Sequence, residues 1–134
     1  MPKKILLAYD GSEAAGRAFD QARELADRFG AELTVLAVAR PPEIGDDVET
    51  EAVVENSRKY YHRILQPLRD KAAKAHFDVV VGNPAVKITA YAEAHGIDLI
   101  VLGHRGKTLF ERWLIGSVAK KVMSYAHCSV LVVR

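Results

Sequence analysis

Three glycines and a serine near the C-terminus have a spacing suited to holding an anion. Gly103 and Gly106 are followed, after nine further residues, by the pair Gly116-Ser117. The mostly apolar residues 97–102 precede this loop, and a helical pattern begins at Val118. Glycines let a backbone approach a ligand closely and adopt positive φ, and a helix start offers N–H donors and partial positive charge. The sequence therefore predicts a loop that binds phosphate.

Two better-known phosphate loops do not fit this segment. A Walker A loop needs a glycine at position 101, where the chain has Val101, and a helix that starts at Lys107-Thr108. The dinucleotide fingerprint G-x-G-x-x-G is absent, and the second predicted strand runs into Ala39-Arg40-Pro41 without the acidic residue that binds a ribose of NAD. These observations exclude the P-loop and NAD-binding classes.

One carboxylate, Asp10, follows the first predicted strand directly. Asp10-Gly11-Ser12 is typical turn chemistry, so Asp10 needs no ligand to explain it. The alternative is a site role, because ligands bind at the carboxyl ends of strands in open α/β sheets. Gly116-Ser117 has a similar alternative interpretation, because a helix cap alone accounts for this pair without any ligand.

Four basic residues lie in or beside the glycine loop: His104, Arg105, Lys107 and Arg112. Arg105 is the one we favour as a phosphate partner, although solvated surface charge is the usual fate of such residues. The histidines show no zinc-binding spacing, and no Ser-His-acid or Cys-His arrangement is readable. The sequence therefore predicts a binding site with no catalytic residues of its own.

The elements that must position these residues alternate between strand and helix. Strands are predicted at residues 5–9, 33–39, 77–81, 97–102 and 129–133. Helices are predicted between Ser12 and Gly30, from 48 to 74, from 84 to 95 and from 118 to 126, with Pro67 expected to kink or split the second. This alternation favours a doubly wound α/β fold with a parallel sheet and helices on both faces.

The spacing G-x2-G-x9-G-[S/T] resembles the nucleotide-binding motif of the universal stress protein family. Further segments carry the resemblance over nearly the whole chain: Lys4-Ile-Leu-Leu-Ala-Tyr-Asp-Gly-Ser12, Val80-Val-Gly-Asn-Pro-Ala85, Asp98-Leu-Ile-Val-Leu-Gly103 and Ser129-Val-Leu-Val-Val-Arg134. The resemblance implies five strands in the order 3-2-1-4-5, which places a topological switch point between strands 1 and 4. Asp10 and Gly103 then meet at one edge of the sheet.

The resemblance also implies which residues contact an adenine nucleotide. The turn after strand 1 contacts it through its backbone, Asp10 lies near the ribose and phosphates or binds an accompanying cation such as Mg²⁺, and strand 2 recognises adenine at Val38. The loop and the following helix start hold the phosphates. The implied set of nucleotide-binding residues is Ala8, Tyr9, Asp10, Val38, Leu102, Gly103, Arg105, Gly106, Gly116, Ser117 and Val118.

The bulk composition sets further limits. A chain of 134 residues is expected to form one domain, residues 1–134. The net charge of +2 does not indicate nucleic acid or an anionic membrane as a partner. No signal peptide or membrane-spanning run is readable, and the single cysteine, Cys128, fits a reducing cytoplasm and a small hydrophobe at the start of a buried strand.

These observations lead to one expected function and two alternatives. We expect a cytoplasmic ATP-binding module for stress response or signalling, without efficient enzymatic activity. The first alternative is a slow Mg²⁺-dependent ATPase that uses Asp10, and the second is a nucleotide-free interaction protein of the same fold. The apolar last strand, residues 129–133, would lie at a sheet edge and is expected to pair with its mate in a homodimer. A helix or the loop around Trp113 covering that edge is the alternative.

Overall fold

A computed structural model describes residues 2–40, 47–106 and 115–134 of the chain. In these ranges five strands alternate with four helices. The elements are β1 (Lys4–Ala8), α1 (Glu13–Phe29), β2 (Glu32–Ala39), α2 (Asp47–Lys71), β3 (His76–Val81), α3 (Pro84–Ala94), β4 (Leu99–Gly103), α4 (Ser117–Tyr125) and β5 (Ser129–Val133). The order of elements and the bounds of β5 agree with the sequence prediction.

The strands form a single parallel sheet in the order β3-β2-β1-β4-β5. This confirms the predicted doubly wound fold and its strand order. The register aligns Leu7 of β1 with Val35 of β2 on one side and with Val101 of β4 on the other. Since the chain moves outward from β1 to β3 and then returns to β4, the carboxyl ends of β1 and β4 flank the switch point.

Alternate strand residues point into two separate cores. On one face, Ile5 and Leu7 of β1 pack in a cluster with side chains of α1 and α2 such as Phe19 and Leu65. On the other face, Leu6 packs in a cluster with side chains of α3 and α4. Burying a large aliphatic side chain contributes about 1.5–3 kcal/mol, so the three central residues of β1, buried on both faces, anchor the switch point firmly.

The helix ends follow the capping residues of the sequence. Ser12 caps α1 by accepting a hydrogen bond from the Ala15 N–H at 3.1 Å, and Gly30 ends the helix with a φ of 64°. Asn83 caps α3 by accepting from the Val86 N–H at 3.2 Å, with Pro84 at the first helical position. Both caps place the first turn of a helix at the carboxyl edge of the sheet.

Two expectations about this framework need correction. Pro67 does not split the second helix, because α2 runs without interruption from Asp47 to Lys71. Cys128 precedes β5 and is half-buried rather than fully buried, and that burial raises the pKa of its thiol. Residues 41–46, which follow the second strand, lie outside the described residues. No helix in the described ranges is long and apolar enough to cross a membrane.

Candidate functional site

A cleft of about 520 Å³ opens at the carboxyl ends of the strands, over the switch point. Its volume lies within the range of small-molecule sites. All eleven residues that the family resemblance implies as nucleotide contacts line it: Ala8, Tyr9, Asp10, Val38, Leu102, Gly103, Arg105, Gly106, Gly116, Ser117 and Val118. The structure therefore brings the strand 1 turn, the end of β2 and the glycine loop together around one space. What the cleft binds stays a prediction at this point.

The cleft has further lining residues that the sequence reasoning missed: Ser12, Ala15, Leu36, Arg40, Tyr61, Pro84, Ile88 and Ala119. Arg40 was predictable from the alternation of strand residues, because it directly follows β2 and continues the alternation of Leu36 and Val38. Tyr61 had no local signal, since it comes from the middle of α2 and reaches the cleft only through tertiary packing.

The start of α4 forms part of the wall of the cleft, which Asp10 also lines. Gly116 is the N-cap residue, with φ −65° and ψ 156°, and no side chain among the described residues caps this helix. The N–H groups of Ser117, Val118 and Ala119 have no acceptor among the described residues, as expected for the first turn of an uncapped helix. Their donors and the positive end of the helix dipole face the cleft, which suits an anion.

Asp10 combines the two roles that the sequence left open. Its Oδ1 accepts a hydrogen bond from the Ser12 N–H at 2.9 Å, so the residue does form the turn that leads into α1. Its Oδ2 lies 2.9 Å from the point where a Cβ on Gly106 would be, so this oxygen adjoins the glycine loop. One oxygen fixes the turn while the other faces the loop beside the cleft.

The structure corrects one of the two reasons given for the glycines of the loop, the positive φ. None of Gly103, Gly106 and Gly116 has a positive φ. A Cβ on Gly103 would lie 2.8 Å from backbone and side-chain carbons of Ala14, and one on Gly116 would lie 3.1 Å from the Cα of Arg105. Gly103 therefore allows β4 to approach α1, and Gly116 allows α4 to approach the loop. Close packing, not positive φ, requires these glycines.

His104 is a second correction, because it is not a solvated basic residue of the loop. Its side chain is 3% exposed. Arg105 lines the cleft, and its pairing with phosphate stays a prediction. Lys107, Arg112 and Trp113 lie outside the described residues. In the described ranges no three His, Cys, Asp or Glu side chains are grouped so as to hold a metal ion.

The fold and the site together define a class of protein: a doubly wound α/β protein with an anion-suited cleft at its switch point. A sequence model of the universal stress protein family matches residues 1–134. The chain belongs to that family.

Individual relatives agree over nearly the full chain. Universal stress protein MJ0531 of Methanocaldococcus jannaschii is 34% identical, over 98% of this chain and 82% of its own length. Universal stress protein YxiE of Bacillus subtilis is 32% identical, over 100% of both chains. Among solved structures, universal stress protein UspA from Lactobacillus plantarum superposes with a TM-score of 0.91 at 28% identity, over 98% of this chain and 97% of its own.

Two further solved structures share the fold at lower identity. A universal stress protein in complex with cAMP has a TM-score of 0.76 at 24% identity, over 99% of this chain and 97% of its own. The universal stress protein from Archaeoglobus fulgidus in complex with dAMP has a TM-score of 0.67 at 23% identity, over 98% of this chain and 97% of its own. At these identities the likeness concerns the fold.

Proposed function

We propose that residues 1–134 form one nucleotide-binding domain, with ATP as its ligand, that works as a cytoplasmic stress-response or signalling module. The observation that carries the proposal is the uncapped start of α4 facing a cleft at the switch point. Adenine nucleotides are the ligands named for two proteins of the same fold. For this chain the proposal rests on its own cleft.

The lining residues divide the proposed ligand into three parts. The base lies against Val38 and its neighbour on the same side of β2, Leu36. The ribose lies near Asp10, whose Oδ2 is also the group that would hold a nucleotide-bound Mg²⁺. The phosphates accept hydrogen bonds from the N–H groups that follow Gly116 and from Arg105. Charge-assisted bonds of this kind are roughly twice as strong as neutral ones, so the phosphates supply much of the affinity.

A matched pair of variants at Ser117 tests the role of the α4 N–H groups. Proline is well accepted at the first helical position, and the extended ψ of 156° at Gly116 suits a residue before proline. Ser117→Pro therefore removes one N–H donor without disrupting the helix, and Ser117→Ala removes only the hydroxyl. Relative to Ser117→Ala, we expect Ser117→Pro to weaken ATP binding about 10- to 150-fold, because one bond to a charged group is lost.

Isothermal titration calorimetry with Mg²⁺-ATP measures both variants, and mass spectrometry of nucleotide released by denaturation identifies what the purified protein carries. Equal affinity of the two Ser117 variants would move the phosphate away from α4. A wild type that binds no nucleotide would leave the nucleotide-free interaction protein as the function.

Slow hydrolysis is the second candidate, and Asp10 is the observation that favours it. Phosphoryl transfer needs metal ions, a cationic clamp and an oriented nucleophile. Among the described residues that line the cleft, Asp10 is the one carboxylate. We therefore expect turnover well below the roughly 1–100 s⁻¹ typical of kinases. A steady-state rate within that range, lost in Asp10→Asn, would make this protein an enzyme.

Homodimerisation through β5 is the proposed assembly. The two edge strands of the sheet differ, because β3 carries His76 and Asp78 whereas β5 has no charged residue from Ser129 to Val133. Charged residues protect an edge strand from pairing, and apolar edges invite it. The middle residues of β5 are half-buried, which leaves part of their surface for a mate.

The double variant Leu131→Lys with Val132→Lys tests the dimer. Neighbouring strand residues point to opposite faces, so one lysine faces the mate whichever face packs. After circular dichroism has verified the fold, analytical ultracentrifugation should give a dimer for the wild type and a monomer for the variant. A monomeric wild type at about tens of micromolar would end the proposal, because dimer content depends on protomer concentration.

A further inference from the structure

His104 does not line the cleft, although its neighbours Gly103 and Arg105 do. It is the one buried polar or charged residue among the described residues, with 3% of its surface exposed. A buried imidazole needs hydrogen-bond partners, since leaving a buried polar group without them is costly. The partners of His104 are therefore informative.

Three contacts of His104 connect β5 with the start of α4. Its main-chain N–H donates to the Val133 carbonyl at 2.7 Å. Its Nδ1 lies 3.3 Å from the same oxygen, and because a carbonyl only accepts, this contact requires the proton on Nδ1. Its own carbonyl accepts the Gly116 N–H at 2.6 Å. A single residue thus joins the last residue of the edge strand to the N-cap of α4.

The packing around Gly116 makes this connection tight. A Cβ at Gly116 would lie 3.1 Å from the Arg105 Cα and 3.3 Å from the His104 oxygen. The N-cap of α4 therefore rests directly on the backbone of residues 104 and 105. Any shift of that backbone displaces the N–H groups that follow Gly116, and hydrogen bonds weaken steeply when their angles change.

We propose that His104 is a positioning residue, which holds the phosphate-binding start of α4 in place through the Val133 carbonyl at the end of β5. The inference rests on the proposed function, in which the phosphates bind at α4. His104 acts on the phosphate part of the ligand and not on the nucleoside part, because Val38 and Leu36 belong to β2 and do not depend on this connection. Because these contacts end at the Val133 carbonyl, the affinity for phosphate also depends on the position of β5.

The test compares His104→Leu with His104→Asn. Leucine fills the buried site without a donor, whereas the amide of asparagine presents an N–H at the position of Nδ1. Calorimetry measures Mg²⁺-ATP and adenosine with each protein, and thermal unfolding without ligand checks the fold. We expect His104→Leu to weaken ATP binding about tenfold or more, as for loss of one buried hydrogen bond. Adenosine binding should be unchanged, and His104→Asn should restore most of the ATP affinity.

The outcomes separate this inference from the function on which it rests. A wild type that binds no ATP overturns both. If the wild type binds ATP but His104→Leu binds it equally well, or loses ATP and adenosine affinity to the same extent, His104 only supports the fold and the positioning role is wrong.

Hydrogen exchange of the wild-type protein provides a test that does not depend on the folding of a variant. Nuclear magnetic resonance follows the amides of His104 and Gly116, the two donors of the connection. ATP should slow the exchange of both amides, while saturating adenosine should leave both exchange rates unchanged. Only the phosphates bind at the start of α4 and stabilise it. Bound ATP that leaves both rates as they are in the free protein would overturn the proposal.

Discussion

The carboxyl and amino edges of the sheet both carry polar side chains but use them differently. At the carboxyl edge, α1, α3 and α4 begin around the cleft of about 520 Å³. At the amino edge a second depression, of about 400 Å³, contains more ionisable groups. Its lining residues are Lys4, Glu32, Thr34, His76, Phe77, Asp78, Tyr91, His95 and Ile97. The number of polar groups therefore does not identify the site.

At the amino edge the polar groups bind one another. The ring of His95 stacks on Tyr91 with a centroid distance of 3.9 Å, and its Nδ1 lies 2.9 Å from the Tyr91 carbonyl. Lys4 Nζ donates to the His95 carbonyl at 3.2 Å. Burial, followed by the charge of Asp78 and its hydrogen bond, raises the pKa of the Tyr91 hydroxyl.

At the carboxyl edge, by contrast, the first N–H groups of α4 have no acceptor in the described part of the chain. The difference follows from the direction of the chain. In a parallel βα sheet every helix that follows a strand begins at the carboxyl edge, so the positive ends of the helix dipoles collect there. An anion is favoured at that edge, where Ser12 caps α1 and Asn83 caps α3, while no side chain among the described residues caps α4.

The largest expected effect concerns Gly103, which packs against α1 and also lines the cleft. In Gly103→Ala the new Cβ meets the backbone of Ala14 and Ala15 at 2.8–2.9 Å, which forces α1 away from β4. We expect the free energy of unfolding to fall by about 1–3 kcal/mol, as for overpacked cores. Urea denaturation followed by circular dichroism measures it.

Gly16→Ala is the matched control, because Gly16 lies within α1 and a Cβ there meets nothing within 4 Å. Alanine in place of a helical glycine should raise stability by about 0.5–1 kcal/mol. If Gly103→Ala is as stable as the wild type, Gly103 has no packing role and is a ligand residue after all.

Much of the fold was predictable because its signals are local. Apolar runs marked the strands, and Ser12, Gly30 and Pro84 marked helix ends within one or two residues. The strand order came from the family resemblance, since nothing within one strand states its neighbour. A split at Pro67 was wrong because the packing of residues such as Leu65 and Leu68 outweighs the loss of one backbone hydrogen bond there.

The site was predictable in its residues but less so in their roles. The spacing of the glycines indicated a close backbone approach, but not whether a ligand or a neighbouring helix occupies the space. For Gly103 the neighbour is α1, and for Gly116 it is the backbone of the loop. His104 was misread because its contacts with Val133 join residues that are distant in sequence. Tyr61 was missed because it too reaches its place only through tertiary packing.

The next largest effect should come from the caps at the carboxyl edge. Ser12→Ala and Asn83→Ala each remove the side-chain acceptor for a helix N–H. We expect each variant to lose about 1 kcal/mol of unfolding free energy in urea denaturation. Ser117→Ala, at the uncapped helix, is the control and should stay within about 0.5 kcal/mol of the wild type. A comparable loss in Ser117→Ala would mean that α4 is capped and that its N–H groups are not reserved for a ligand.

The smallest effect is expected at the amino edge, where Asp98 is a carboxylate with a purely structural use. Its Oδ2 accepts hydrogen bonds from the main-chain N–H groups of Lys3 at 2.6 Å and Lys4 at 2.7 Å. These bonds hold the pKa of the Asp98 carboxyl below its ordinary value of 3.8, the bond from Lys3 contributing most. A group whose pKa is lowered in the folded state stabilises the fold above its unfolded pKa, and the stabilisation is lost as the pH falls through the folded pKa.

The comparison of wild type with Asp98→Asn tests this linkage. The variant keeps an acceptor oxygen but loses the charge, so it should be less stable than the wild type at pH 7, and the difference should shrink as the pH falls below 3.8. Urea denaturation of both proteins at a series of pH values measures the difference, in which the titration of all other groups cancels. A difference that stays constant from pH 7 to about 2 would show that the charge of Asp98 is not linked to folding. The hydrogen bonds from Lys3 and Lys4 to Asp98 would then stabilise the amino edge without any contribution from the negative charge of its carboxylate.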